Sequence, residues 1–241
     1  MTVKEHYDNH LGNFYSWMLG DFDTNEERMR EFFAAHGIAS QTNQTALDLG
    51  CGNGIQSVAL AKLGYKVKAV DFNEQLLNEL SGHKSYFDIE VINSEFINYL
   101  NSVNKKFSLI TSMGDTILHL ESREWVKEFI KLCYENLEQG GKLILSFRDY
   151  TNELKGDARF IPVKSDDTRV MTCFLQYSDE YINVTDLLYE KINGEWMQFV
   201  SSYKKVRVLP EEIEKYLKDA GFEIESNENI NRMIYLIANK I

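Results

Sequence analysis

The stretch Ala46-Leu47-Asp48-Leu49-Gly50-Cys51-Gly52-Asn53-Gly54 decides how the chain is read. Apolar residues run into three glycines at alternate positions, and a helix-like segment from Ile55 to Leu63 follows at once. The local pattern is strand, tight turn, helix. Glycine at such a turn permits positive φ and leaves no Cβ between backbone and ligand. A turn at the carboxyl end of a buried strand and the amino end of a helix is where open α/β sheets bind ligands.

A lone Gly-x-Gly-x-Gly has low specificity, but its surroundings raise it. Asp71 lies 17 residues beyond Gly54, at the end of a second strand-like run from Lys66 to Val70. A carboxylate there is placed to accept both hydroxyls of a ribose. The nicotinamide fingerprint Gly-x-Gly-x-x-Gly requires glycine at position 55, and that residue is Ile55. The spacing therefore favours a nucleoside without a pyrophosphate.

Asp48-Leu-Gly-Cys-Gly-Asn-Gly followed by Val70-Asp71 resembles the first two motifs of class I S-adenosylmethionine-dependent methyltransferases. The resemblance implies S-adenosylmethionine as cofactor, with contacts from Asp48, Gly50, Gly52, Gly54, Asp71 and Phe72. In that family the loop after the third strand holds the adenine, commonly through an Asp. Here Ser94 stands at that place with Glu95 beside it, so Ser94, Glu95 or a backbone amide is left to make the contact. The run Ser112-Met113-Gly114-Asp115-Thr116-Ile117-Leu118-His119-Leu120 is similar to the loop that borders cofactor and acceptor in small-molecule enzymes akin to glycine N-methyltransferase. The similarity implies that Met113 lies against the cofactor and that Asp115 and His119 face the acceptor as catalytic candidates. Arg148 and Tyr150, after the fifth strand, resemble that group's substrate-binding pair. An Arg fork at a strand end suits a carboxylate, and a salt bridge to Asp149 or Asp157 is the competing reading. The family's amino-terminal helix often closes over the site. That places Tyr7, Tyr15 and Trp17 near the sulfonium, whose positive charge is attracted to aromatic faces.

Composition limits the alternatives. With 241 residues, the chain has room for one large α/β domain with an insertion. A net charge of −11, with no long basic run, argues against a nucleic-acid partner. The densest basic cluster, Lys204-Lys205-Val206-Arg207, reads as a solvated face of a strand. Cys51, Cys133 and Cys173 are scattered, an odd set that indicates reduced thiols in a cytoplasm. Neither a signal core nor an apolar run near the roughly 20 residues of a membrane span is present, so no membrane partner is expected. His6 and His10 are one helical turn apart without a third ligand; they read as solvated, and no metal site is expected.

Along the chain, residues 3–19 read as one helix, with Tyr7, Leu11, Phe14, Tyr15 and Met18 in an apolar stripe. A second helix spans Asn25 to His36. The centre alternates strands at 46–49, 66–70, 89–92, 107–111 and 142–147 with helices. Asn73 and Ser122 are set to cap two of these helices, and Trp125, Phe129, Leu132 and Leu137 form the inner stripe of the helix over 123–137. Residues 157–208 change character: β-branched and aromatic runs at 170–177, 181–192 and 195–207, the last two joined by Asn193-Gly194, predict an antiparallel insertion with a type I′ turn. Pro210 opens a last helix, and strands at 222–226 and 233–238 close the chain as a hairpin.

The expected fold is α/β: a doubly wound, seven-stranded, mostly parallel Rossmann-like methyltransferase sheet with an antiparallel β insertion and an N-terminal helical flap. The expected division is a flap at 1–40, a core at 41–156 and 209–241, and an insertion at 157–208. The resemblance implies that the insertion serves as an acceptor lid or a homodimer surface. The expected activity is transfer of the methyl group of S-adenosylmethionine to a small-molecule amine, amino acid or hydroxyl in the cytoplasm. The alternatives are a nucleoside-binding module without transfer and a nicotinamide-dependent oxidoreductase. Alignment of nucleophile, methyl carbon and sulfur alone can lower a barrier by roughly 7–11 kcal/mol, so no conspicuous triad is required.

Overall fold

A computed structural model describes residues 1–40 and 44–241. The expected domain boundary at residue 41 lies outside the described residues.

Seven strands form the main sheet: β1 (Thr45–Leu49), β2 (Lys66–Asp71), β3 (Ile89–Asn93), β4 (Phe107–Ser112), β5 (Leu137–Arg148), β10 (Phe222–Ile230) and β11 (Met233–Lys240). Their order is β10-β11-β5-β4-β1-β2-β3. The pairs among β1 to β5 are parallel, whereas β11 runs antiparallel to both β5 and β10. This is the doubly wound, mostly parallel sheet expected from the sequence. Because β1 lies between β2 and β4, the winding reverses beside it, and a crevice opens at the carboxyl ends of these strands.

Helices cover both faces. α3 (Phe22–Ala35), α4 (Ile55–Lys62) and α5 (Glu74–His83) bury Phe33, Leu60 and Leu80 on one face. α6 (Phe96–Ser102), α7 (Arg123–Asn136) and α8 (Pro210–Ala220) bury Leu100, Phe129 and Leu217 on the other. Strands buried on both sides read as near-continuous apolar runs, which is why 46–49 and 107–111 are recognisable without alternation. Asn73 caps α5 by accepting from the Leu76 N–H at 3.0 Å, and Ser122 caps α7 by accepting from Trp125 N–H at 3.3 Å. Pro210 starts α8, and Gly221 ends it in the left-handed region.

A second sheet, β6 (Phe160–Ser165), β7 (Arg169–Tyr177), β8 (Tyr181–Ile192) and β9 (Glu195–Val206), is antiparallel in the order β6-β7-β8-β9. Asn193 and Gly194 both take positive φ at the β8–β9 turn, as a type I′ turn demands. The inner ends of β8 and β9 dock on the core through Val184, Tyr203 and Val206. β6 was not legible: Pro162 interrupts its pattern, as is tolerated on an edge strand.

Three sequence readings are corrected. The helix expected over 3–19 is broken into α1 (Val3–Asn9), a 3-10 turn at Leu11–Asn13 and α2 (Tyr15–Leu19). The break sits at Gly12, where a Cβ would lie 2.7 Å from the Tyr7 carbonyl and 3.3 Å from the Asn73 side chain. The close approach to α5 bends the chain there. The second helix begins earlier than expected, at Phe22, because Asp21 accepts the Thr24 N–H at 2.8 Å and caps it. Of the expected inner stripe only Trp125, 44% exposed, is not buried; Phe129 and Leu132 are, with Val126, Ile130 and Cys133 beside them on α7, and the buried Leu137 lies just past the helix at the start of β5.

Candidate functional site

Beyond β1 the chain turns through Gly50, Gly52 and Gly54, with φ of 71°, 52° and 95°. A Cβ on Gly50 would lie 2.4 Å from Thr116, and one on Gly54 would lie 2.2 Å from Leu80. Both positions require glycine for packing as well as for φ. Gly52 is different: its open side faces the Tyr15 ring, 3.5 Å from the place of a Cβ. Its backbone therefore lines a cleft rather than the core.

Asp71 closes the turn from β2. One carboxylate oxygen accepts the Gly52 N–H at 2.9 Å and the other accepts the Asn73 N–H at 2.9 Å. Burial pushes this carboxyl up from its ordinary value, while these backbone bonds favour the ion. Val3, Tyr7, Tyr15 and Phe72 cover the turn and leave a space of ≈40 Å³. The Tyr7 ring is the centre of this cover, 6.0 Å from Tyr15, 5.7 Å from Phe72 and 5.7 Å from His119 between ring centroids.

The loop after β4 builds the far wall. Gly114 and Asp115 are both left-handed, with φ of 72° and 80°. The Gly114 N–H donates to Ser146 Oγ at 2.8 Å, and the Arg148 N–H donates to Asp115 Oδ1 at 2.7 Å. The other Asp115 oxygen pairs with the Lys205 ammonium from β9. Burial opposes ionisation of Asp115, but Lys205 and the Arg148 N–H hold its carboxyl below the usual range. Burial likewise opposes the Lys205 charge, and Asp115 outweighs it, so the ammonium persists.

His119 ends the short 3-10 helix Thr116–His119 and stacks on Tyr203 at 5.6 Å and 19°. Burial, reinforced by Lys205, depresses its pKa to about 3, so the imidazole is neutral at ordinary pH. Its Nδ1 is buried without a hydrogen-bond partner among the described residues. His119 borders the small cleft under Tyr7 and two larger cavities. One, ≈520 Å³, lies between this loop and the antiparallel sheet and is lined by Asp115, Arg148, Tyr150, Tyr203 and Lys205. The other, ≈860 Å³, lies beyond α1 against Phe72, Glu95, Phe96, Leu120 and Trp125.

The structure thus brings Gly50, Gly52, Asp71, Phe72, Tyr7 and Tyr15 together with His119 at the glycine turn. Asp115, Arg148 and Tyr150 join His119 in the ≈520 Å³ cavity, and Glu95 borders the ≈860 Å³ one. Arg148 makes neither of the competing salt bridges; among the described residues its guanidinium has no hydrogen bond or ion pair. Ser94 turns to its own loop, its hydroxyl donating to the Glu95 carbonyl at 3.1 Å.

The other expected residues, Asp48, Gly54, Met113 and Trp17, do not line the small cleft at the glycine turn. Asp48 is buried beneath the turn, where it accepts from Ser57 Oγ at 2.6 Å and Thr111 Oγ1 at 2.9 Å and anchors α4 and β4 to β1. Gly54 caps α4 against Leu80. Met113 is buried in the apolar cluster that holds Cys51 and Leu80. Trp17 lies against the antiparallel sheet, where its Nε1 donates to Asp166; the bend at Gly12 rotates it away from the turn.

Two readings of charge are also corrected. His6 is fully buried and hydrogen-bonded to Ser201 and Asp186, and His10 is half-buried, so neither is simply solvated. Lys205 is a buried ion-pair partner, and Arg207 bonds Glu153 and the Ser178 carbonyl, so only Lys204 of that cluster is exposed. Strand alternation carried the signal: Ser201, Tyr203 and Lys205 share one face of β9.

With this geometry in place, the comparisons are specific. Residues 46–141 match the methyltransferase domain family. A putative methyltransferase, YqeM, of Bacillus subtilis (strain 168) is 25% identical over 181 residues, covering 74% of this chain and 73% of the relative. With other curated relatives the match spans about half of their length. An S-adenosylmethionine-dependent methyltransferase from Clostridium acetobutylicum ATCC 824 shares the fold at TM-score 0.74 and 19% identity, over 97% of this chain and 95% of that one. The sugar N-methyltransferase KedS8 from Streptoalloteichus sp ATCC 53650 does so at TM-score 0.74 and 14% identity, over 95% and 92%. Among the described residues no helix is long and apolar enough to cross a membrane.

Proposed function

We propose that the chain is a class I S-adenosylmethionine-dependent methyltransferase and that its acceptor is a small molecule bearing an amine or hydroxyl and an anionic group, bound in the ≈520 Å³ cavity. One observation carries the reading: His119, neutral and with an unpartnered buried Nδ1, stands where the glycine-turn cleft and that cavity meet.

The residues present fit the cofactor. The open backbone of Gly52, the Asp71 carboxylate and the aromatic cover of Tyr7, Tyr15 and Phe72 suit a ribose and a sulfonium. Bound S-adenosylmethionine supplies a methyl group on a positively charged sulfur. The protein's part is alignment and desolvation. His119 Nδ1 accepts a hydrogen bond from the acceptor's N–H or O–H and orients its lone pair towards the cleft. Asp115, engaged with Lys205, is a rigid wall rather than a free base. Arg148 receives the anionic group, with the Tyr150 ring beside it. The sugar N-methyltransferase among the structural relatives agrees with an amine acceptor.

The test is a panel of small amines, amino acids, amino sugars and phenols with methyl-labelled donor. Label transfer to a carboxylate-bearing amine, lowered about a hundredfold in kcat by His119→Phe with donor binding retained, is the expected result. Donor binding without transfer to any class would favour the nucleoside-binding alternative.

A further inference from the structure

α1 meets the antiparallel sheet through a buried polar cluster that the proposed chemistry does not use. His6 is fully buried, with Nδ1 2.8 Å from Ser201 Oγ and Nε2 3.1 Å from Asp186 Oδ2. The other Asp186 oxygen accepts from Cys173 Sγ at 2.9 Å. The imidazole also stacks on Tyr203, 4.2 Å between centroids. A buried carboxylate and its hydrogen-bonded partner are costly to separate, because each is left desolvated and unpaired.

Tyr7 is the next residue in the chain, and its ring rests on Tyr15, Phe72 and His119 over the glycine turn. The space beneath it is ≈40 Å³, so the seat of this ring sets how open the glycine turn is to a donor. On the opposite side the flap is held by half-buried bonds: Asn73 Nδ2 to Asp8 at 2.9 Å, Gln75 Nε2 to the Gly12 carbonyl at 2.9 Å, and Ser16 Oγ, which donates to Glu79 and accepts from Asn53 Nδ2 at 2.9 Å. The His6 cluster is the deepest attachment of α1, and it lies one residue from the ring that covers the turn.

We propose that His6 and Asp186 are positioning residues for the methyl-donor site: their buried bond pins α1 to the antiparallel sheet, seats Tyr7 on the glycine turn, and sets the rate at which donor and demethylated product exchange. The proposal rests on the donor-site reading above. Asp186 also borders the ≈520 Å³ cavity, but neither residue borders the cleft at the glycine turn, and towards the donor both act through Tyr7.

The test follows dissociation of S-adenosylhomocysteine by stopped-flow, alongside the thermal midpoint, in the full chain. His6→Phe keeps a ring on Tyr203 and removes both hydrogen bonds. Asp186→Asn keeps shape and one acceptor oxygen, and Ser201→Ala is the milder variant should His6→Phe fail to fold. The expected result is dissociation roughly tenfold faster in His6→Phe and Asp186→Asn, with a smaller increase in Ser201→Ala. The double variant should be no faster than the larger single effect, because the two residues share one bond. A lowered midpoint with dissociation within about twofold of the unaltered protein in Asp186→Asn and Ser201→Ala would mean a purely structural cluster, and would overturn the proposal. Failure of the unaltered protein to bind the product at all would overturn the donor-site reading and this proposal together, whereas binding with unchanged exchange sinks this proposal alone.

Discussion

Lys205 and Asp115, 90 residues apart, form a buried ion pair that ties β9 of the antiparallel sheet to the loop after β4 of the main sheet. The carboxylate sits on a left-handed turn that also receives the Arg148 N–H. One pair thus fixes the wall of the ≈520 Å³ cavity from both sheets at once.

Removing the ammonium should therefore be costly. Lys205→Met leaves the buried Asp115 carboxylate with no ion-pair partner and only the Arg148 N–H as donor, and a loss of about 3–5 kcal/mol in urea unfolding is expected. The same change relieves His119 of a nearby positive charge, so its pKa should rise from about 3. Two-dimensional NMR of the imidazole checks the second effect independently of the first.

Asp48 gives a pH dependence of definite sign. Burial pushes its carboxyl from 3.8 up to about 6, against the opposing bonds from Ser57 and Thr111. The folded chain thus holds this proton more tightly than the unfolded chain. The contribution favours folding below the unfolded value and is lost as pH rises through about 6. Between these limits the unaltered protein should lose on the order of 3 kcal/mol relative to Asp48→Asn. Urea unfolding of both across that range measures it, and parallel curves would refute it.

Asp71→Ala should weaken S-adenosylmethionine by about 1–3 kcal/mol in calorimetry, the cost of leaving ribose hydroxyls and the Gly52 N–H unpaired. Unchanged affinity would show that the ribose lies elsewhere.

Arg148→Ala should raise KM for an anionic acceptor roughly tenfold to a hundredfold, as expected for losing a charge-assisted pair. Donor affinity should not move, because Arg148 borders the ≈520 Å³ cavity and not the glycine turn. An equal loss of both would exclude the carboxylate role.

The legible parts of this protein are those whose cause is local. The glycine turn, the Asn73 and Ser122 caps, the Asn193-Gly194 hairpin and the Pro210 helix start each depend on residues within a few positions of one another. The seven-stranded, mostly parallel sheet was expected from the family resemblance that the turn and Asp71 carry, but its strand order was not. What escaped reading depends on partners far away in sequence. His6 finds Asp186 across 180 residues, and Lys205 finds Asp115 across 90. Side chains that look solvated by composition are buried by topology there. Trp17 was misplaced for a related reason: the bend at Gly12 is dictated by contact with Asn73, which a helical repeat does not reveal. Asp48 carries a family motif, yet its side chain serves the scaffold beneath the turn.

Position 148 divides its labour between two parts of one residue. The main-chain N–H braces Asp115, whereas the guanidinium alone addresses the cavity. Any replacement that keeps an amide hydrogen keeps the brace. Preference for one acceptor over another can thus drift, or be redesigned in the laboratory, at this position without loosening the framework that makes turnover possible.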